Sequence, residues 1–114
     1  MKRDITLFLE DILENIADIE SFVRNIPRER LETNKLRTKA ILRSLEIIGE
    51  AVKHIPLELR KKHPAVPWKD VAGMRDVLIH AYFGIEHNHI WKVIERDLPL
   101  LKAEVKQMLQ GLKR

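Results

Sequence analysis

Arg75, His80 and Tyr82 fall within one stretch, Trp68 to Phe83, and their side chains could do chemistry on a phosphodiester. An imidazole that titrates near neutrality can take a proton from a ribose 2′-hydroxyl or return one to a leaving oxygen. A guanidinium can grip a phosphate through two N–H groups and hold the charge that builds on phosphorus. Together they suffice for RNA cleavage by internal 2′-hydroxyl attack, with no metal. Asp76 lies four residues before His80 and shares its helical face. Its carboxylate could accept from one ring nitrogen and set the tautomer. The plain alternative is a surface pair that does no chemistry.

The spacing puts a condition on this chemistry. At about 100° per residue, Arg75 and Tyr82 lie within about 20° of each other, whereas His80 lies about 140° round from Arg75. On one straight helix Arg75 and His80 therefore do not share a face. A bent arginine, a loosened helix end near Gly84, or Arg75 of one chain meeting His80 of another would bring them together. Gly73, on the side of His80, leaves room for close approach. The same helix carries two apolar stripes. Val71, Met74, Leu78 and Ala81 form one; Trp68, Ala72, Ile79 and Phe83 form a second, about 130° away. A surface helix needs only one stripe. The second is covered either by the last helix of the same chain or by a second copy.

The elements that must position these residues are helical throughout. No alternating strand-like run occurs, and apolar residues recur at helical spacing. A first helix is predicted from about Arg3 to Asn25, with Ile5, Phe8, Ile12, Ile16, Ile19 and Val23 as its stripe and Pro27 beyond its end. A short turn of helix follows at 27–31. Thr33 or Asn34 caps a second long helix, whose buried stripe is Leu36, Ile41, Leu45, Ile48, Val52 and Ile55. Pro56 closes it, one further turn covers 57–62, and 61–67 reads as a loop held extended by two prolines. Pro67 suits the start of the helix Trp68–Phe83, with Gly84 as its C-cap. The last helix runs from about Glu86 to Leu109, with a kink or fresh start at Pro99 capped by Asp97. The fold class is all-α: a four- to five-helix, mostly antiparallel bundle. The 114 residues make one domain, 1–114.

Charge is uneven. Residues 1–27 hold three basic and six acidic groups, whereas 28–62 hold ten basic and five acidic. With a net charge of +4, the surface favours polyanions. Cysteine is absent, so no disulfide, thiolate metal site or cysteine nucleophile is available. There is no secretory signal and no apolar run of bilayer length, so a cytoplasmic location is expected.

The stretch around Gly73-Met74-Arg75 and His80-Ala81-Tyr82 resembles the HepT-like family of the HEPN superfamily. Its signature is Arg, four residues, His, one residue, Tyr, and Arg75, His80 and Tyr82 match it. Glu46 to Val52 upstream, and Ile90 to Ile94 with Asp97-Leu98-Pro99 downstream, are also similar. The resemblance implies a dimerising HEPN-like bundle in which the Arg and His motifs of two chains meet in a cleft. It implies RNA cleavage, often of tRNA, by the toxin of a type VII-like toxin–antitoxin pair. The implied antitoxin is an MntA-type nucleotidyltransferase that transfers AMP to Tyr82. Some relatives carry Asn where this chain has Asp76. A second reading is a non-catalytic helical partner that positions substrate for a nucleotidyltransferase.

Other residues carry less. His87 and His89 are two apart and point to opposite sides of a helix, so no metal site is expected. His54 and His63 read as solvated loop histidines. Trp68 and Trp91 read as core or interface anchors. Glu46 and Glu50 are expected to pair with Arg43 or Lys53, or with Arg75 across the bundle. No phosphate-cradling glycine loop occurs, and no cofactor is expected.

Overall fold

A computed structural model describes the backbone of residues 4–74 and 87–112, and the side chains of 4–74 and 90–112. Every regular element among the described residues is helical. Helix α1 spans Ile5–Val23 and starts where the Asp4 carboxylate accepts from the Thr6 amide. It stops at Arg24, which is extended, and Asn25 follows in the left-handed region with φ 61°. Asparagine tolerates that region better than most residues. Helix α2, Arg28–Thr33, is a short turn after Pro27. Helix α3, Lys35–Lys53, is capped by Asn34, whose side chain accepts from the Arg37 amide.

The two long helices run antiparallel. At one end Arg37 donates to the Phe22 carbonyl, and at the other Phe8 stacks on His54. Their facing stripes meet at Leu9, Ile12, Ile16 and Ile19 of α1 and Ile41, Leu45, Ile48 and Val52 of α3, all buried. Leu36 departs from the expected stripe. It lies in the first turn of α3 and is 82% exposed, because its wheel position is well off the face that Ile41 and Leu45 share.

Helix α4, Leu57–Lys61, leads through a loop to helix α5, Trp68–Ala72. The helix expected from Trp68 toward Phe83 is present from Trp68 to Met74 with a one-residue irregularity at Gly73, whose amide still bonds back to the Lys69 carbonyl. A Cβ at Gly73 would lie 3.2 Å from that carbonyl oxygen, a tight fit that glycine avoids. Ile79, Phe83 and the Gly84 cap lie outside the described residues, as do Leu78 and Ala81.

Helix α6, His87–Lys92, passes through one π turn, Val93–Asp97, into helix α7, Leu98–Leu112. Of the kink or fresh start expected at Pro99, the fresh start does not occur; the irregularity is the π turn just before the proline. Leu98 is helical, and its amide bonds to Val93, five residues back. Proline has no N–H to give the ladder, and the wider turn just before it lets the helix run on. Asp97 therefore lies inside a continuous helix rather than capping a new one. Leu98, Leu101, Val105, Met108 and Leu109 bury the inner face of α7. Lys102 reaches both carboxylate oxygens of Glu20 on α1 at 3.0 Å. Among the described residues, no helix is long and apolar enough to cross a membrane.

Candidate functional site

Arg75, Asp76, His80 and Tyr82 lie outside the described residues. The structure does describe the platform that leads to them, which ends at Met74. Met74 is buried to 1% exposure, as is Val71 one turn earlier. Both press on α3 at Gly49. A Cβ on Gly49 would stand 3.4 Å from the Val71 carbonyl oxygen and 3.6 Å from the Met74 Cβ. A larger side chain there would push α5 away. The missing side chain at Gly49 thus sets how closely the last described turn before Arg75 approaches the bundle.

The start of α5 is tied down by hydrogen bonds. The Trp68 indole N–H is shared between the carbonyls of Arg60, at 3.1 Å, and His63, at 2.9 Å. Arg60 in turn donates to the carbonyls of Ile55, at 2.9 Å, and Lys53, at 3.4 Å, at the end of α3. The Lys53 carbonyl is one that a helix end leaves without an intrahelical donor, and Ile55 lies just past that end. Nδ1 of His63 donates to Oε2 of Glu104 on α7 at 2.8 Å. His63 is therefore not a solvated loop residue; its side chain is 14% exposed and joined to the last helix. Three elements converge on the first residue of α5, and Gly49 receives its end.

His54 is exposed in a turn, as expected, but it also makes specific contacts. It is the C-cap of α3, and its ring stacks on Phe8 at 4.2 Å with only 4° between the planes. The pair borders a cleft of about 200 Å³ between α1 and α3, lined also by Asp11, Arg43, Glu46 and Glu50. The expected carboxylate pairings form here. Arg43 meets Glu46 at 3.2 Å, and Lys53 meets Glu50 at 3.1 Å. Trp68 packs on the core, and Trp91 packs there too, with the Arg28 guanidinium 5.2 Å from its ring. Among the described residues, no group of three or more His, Asp or Glu side chains is placed to hold a metal ion. The side chains of His87 and His89 lie outside the described set.

Three positioning features were absent from the sequence reading: the close approach at Gly49, the shared Trp68 N–H and the His63–Glu104 bond. Gly49 left one trace, a glycine inside an otherwise strong helical pattern. The other two join residues far apart in the chain and leave no local pattern.

Comparison with known proteins places these features in context. The family model described as ribonuclease HepT-like matches residues 12–108. A protein of Methanocaldococcus jannaschii, named as a candidate RNase, is 44% identical over 97% of this chain and 92% of its own length. A candidate RNase of Caldanaerobacter subterraneus subsp. tengcongensis is 48% identical over 90% of this chain and 92% of its own. A protein of Thermococcus cleftensis named probable ribonuclease HepT is 45% identical over 95% of this chain and 98% of its own. No solved structure matches the chain.

Proposed function

The chain belongs to the ribonuclease HepT-like family, and from that premise we propose that it is a metal-independent endoribonuclease. The observation that carries this reading is the family match over 12–108, which contains the Arg75, His80, Tyr82 spacing. His80 acts as general base toward the ribose 2′-hydroxyl and as general acid toward the leaving 5′-oxygen. Arg75 holds the scissile phosphate and its developing charge. Asp76 orients the His80 ring. The products are a 2′,3′-cyclic phosphate and a free 5′-hydroxyl, and no water is consumed in that step.

On this reading residues 1–114 form one HepT-like domain that works as a homodimer in the cytoplasm. The second copy answers the geometric condition on Arg75 and His80, which one straight helix keeps about 140° apart. The protein is the toxin of a type VII-like pair, with tRNA among its substrates. Its antitoxin is an MntA-type nucleotidyltransferase that transfers AMP to the Tyr82 hydroxyl. The added phosphate and base sit seven residues from Arg75, on the same helical side, and compete there with RNA.

The test uses purified, unmodified protein in the presence of a chelator. It should cut single-stranded RNA, and His80→Ala should abolish cutting while the helical circular dichroism is kept. Equal cutting by the alanine variant would overturn the assignment. A wild-type protein that never cuts, yet forms a stable complex with a nucleotidyltransferase, would favour the non-catalytic partner instead.

A further inference from the structure

Residues 57–70 carry Arg60, Lys61, Lys62 and Lys69 against only two carboxylates, Glu58 and Asp70. The four cations play different parts. Arg60 is half-buried and spends its guanidinium on the carbonyls at the end of α3. Lys61, Lys62 and Lys69 are exposed, and none forms an ion pair with a described residue. Elsewhere on the surface Arg28, Arg43, Lys53 and Lys102 each hold a carboxylate.

The Trp68 N–H holds the first turn of α5 against the carbonyls of residues 60 and 63. The backbone of Lys69 thus starts one residue from that contact, and Lys61 and Lys62 lie between its two acceptors, so segment 60–69 forms one surface knob that carries all three lysines. The knob is rigid at its root, through Arg60 to α3 and through His63 to Glu104 on α7. It is also close to the motif in chain terms. Lys69 precedes Arg75 by six residues, so their Cα atoms stand no more than about 20 Å apart even for an extended chain.

We propose that this α4–α5 knob carries the phosphate backbone of single-stranded RNA alongside the cleavage motif, with Lys61, Lys62 and Lys69 each neutralising a phosphate. The proposal rests on the ribonuclease reading for the identity of the polyanion. The composition argues against a protein partner on this surface. Lysine is depleted in protein interfaces, whose cores are apolar. Leu57 is the one large apolar side chain exposed between 57 and 70, too little for such a core. Repeated cations on a rigid base, with few carboxylates, suit a chain of evenly spaced phosphates. A fixed root also means that the knob is not ordered at the expense of binding.

The salt dependence of binding tests this separately from cleavage. The probe is a fluorescein-labelled single-stranded 2′-O-methyl RNA, which lacks the attacking hydroxyl and cannot be cut. Its Kd is measured by anisotropy across a series of KCl concentrations. Three proteins are compared: wild type; Lys61→Gln, Lys62→Gln, Lys69→Gln; and a charge-matched control, Lys35→Gln, Lys39→Gln, Lys106→Gln. Loss of three phosphate contacts should flatten the slope of log K against log salt by about 2, and weaken binding about tenfold or more near physiological salt. The control should keep the wild-type slope. Melting temperature and circular dichroism establish that all three are folded. An unchanged slope in the knob variant overturns the proposal, and so does an equal loss in the control, which would assign the effect to net charge. Absence of RNA binding by wild type overturns it too. A wild-type protein that binds with the expected slope yet never cuts cleavable RNA sinks the ribonuclease reading and leaves the knob standing.

Discussion

The Trp68 indole N–H donates to the carbonyl oxygen of His63 at 2.9 Å, five residues earlier in the chain, and thereby pins the start of α5. The same N–H reaches Arg60, so one donor serves two carbonyls that have left the regular helix ladder. His63 carries the connection on to Glu104 of α7. The last described turn before the motif is held at its start by this chain of bonds and at its end by Gly49.

Trp68→Phe removes the donor and keeps most of the ring. The Arg60 and His63 carbonyls keep their backbone donors, the amides of His63 and Val66, but lose the indole N–H, and unfolding in urea should show a loss of about 0.5–1.5 kcal/mol. RNA cleavage per folded molecule should fall as well, since the start of α5 is freed. Stability and cleavage both equal to wild type would show that the ring alone positions α5.

Gly49 separates two effects by size. Gly49→Ala places its Cβ at ordinary contact distance from the Val71 carbonyl and Met74. It should stabilise the protein by about 0.5–1 kcal/mol, because alanine costs less than glycine in a helix interior. Gly49→Leu overfills the same contact and should destabilise by about 1–3 kcal/mol. Urea unfolding of both variants measures the pair, and similar effects from both would deny the close packing described here.

The His63–Glu104 bond is testable by a graded series. Glu104→Ala should cost about 0.5–1.5 kcal/mol, and Glu104→Gln, which keeps an acceptor oxygen, should recover most of it. A double-mutant cycle with His63→Ala isolates the coupling. Additive single effects would mean that the two side chains touch without stabilising each other.

Tyr82→Phe bears on the proposed neutralisation. Phenylalanine lacks the hydroxyl that would receive AMP, while Arg75 and His80 remain. Co-expressed with a cognate nucleotidyltransferase, wild type should gain mass in AMP-sized steps by intact mass spectrometry, and the variant should not. The variant should still cut RNA. The same added mass on the phenylalanine protein would move the modification to another residue.

The helices were legible in the sequence because capping and periodicity are local. Asn34 before a run of apolar residues at helical spacing, and Pro27 and Pro56 just past the ends of the two long helices, carry their own physical meaning within a few residues of chain. The same holds for the pairing of Glu46 with Arg43 and of Glu50 with Lys53, each three residues apart on one helix. The candidate chemistry was legible as residue type and spacing, in Arg75, His80 and Tyr82, because reactivity belongs to the side chains themselves.

Tertiary structure decided the rest. Periodicity alone did not show the one-residue irregularity at Gly73, and of the kink or fresh start it allowed at Pro99, the fresh start gives way to a π turn that carries the helix on. Periodicity left His63 in solvent, although Glu104 lies 41 residues ahead in sequence and 2.8 Å away in space. Each of these depends on which surfaces meet once the helices pack, and a repeat of 3.6 residues specifies a face without specifying its neighbour.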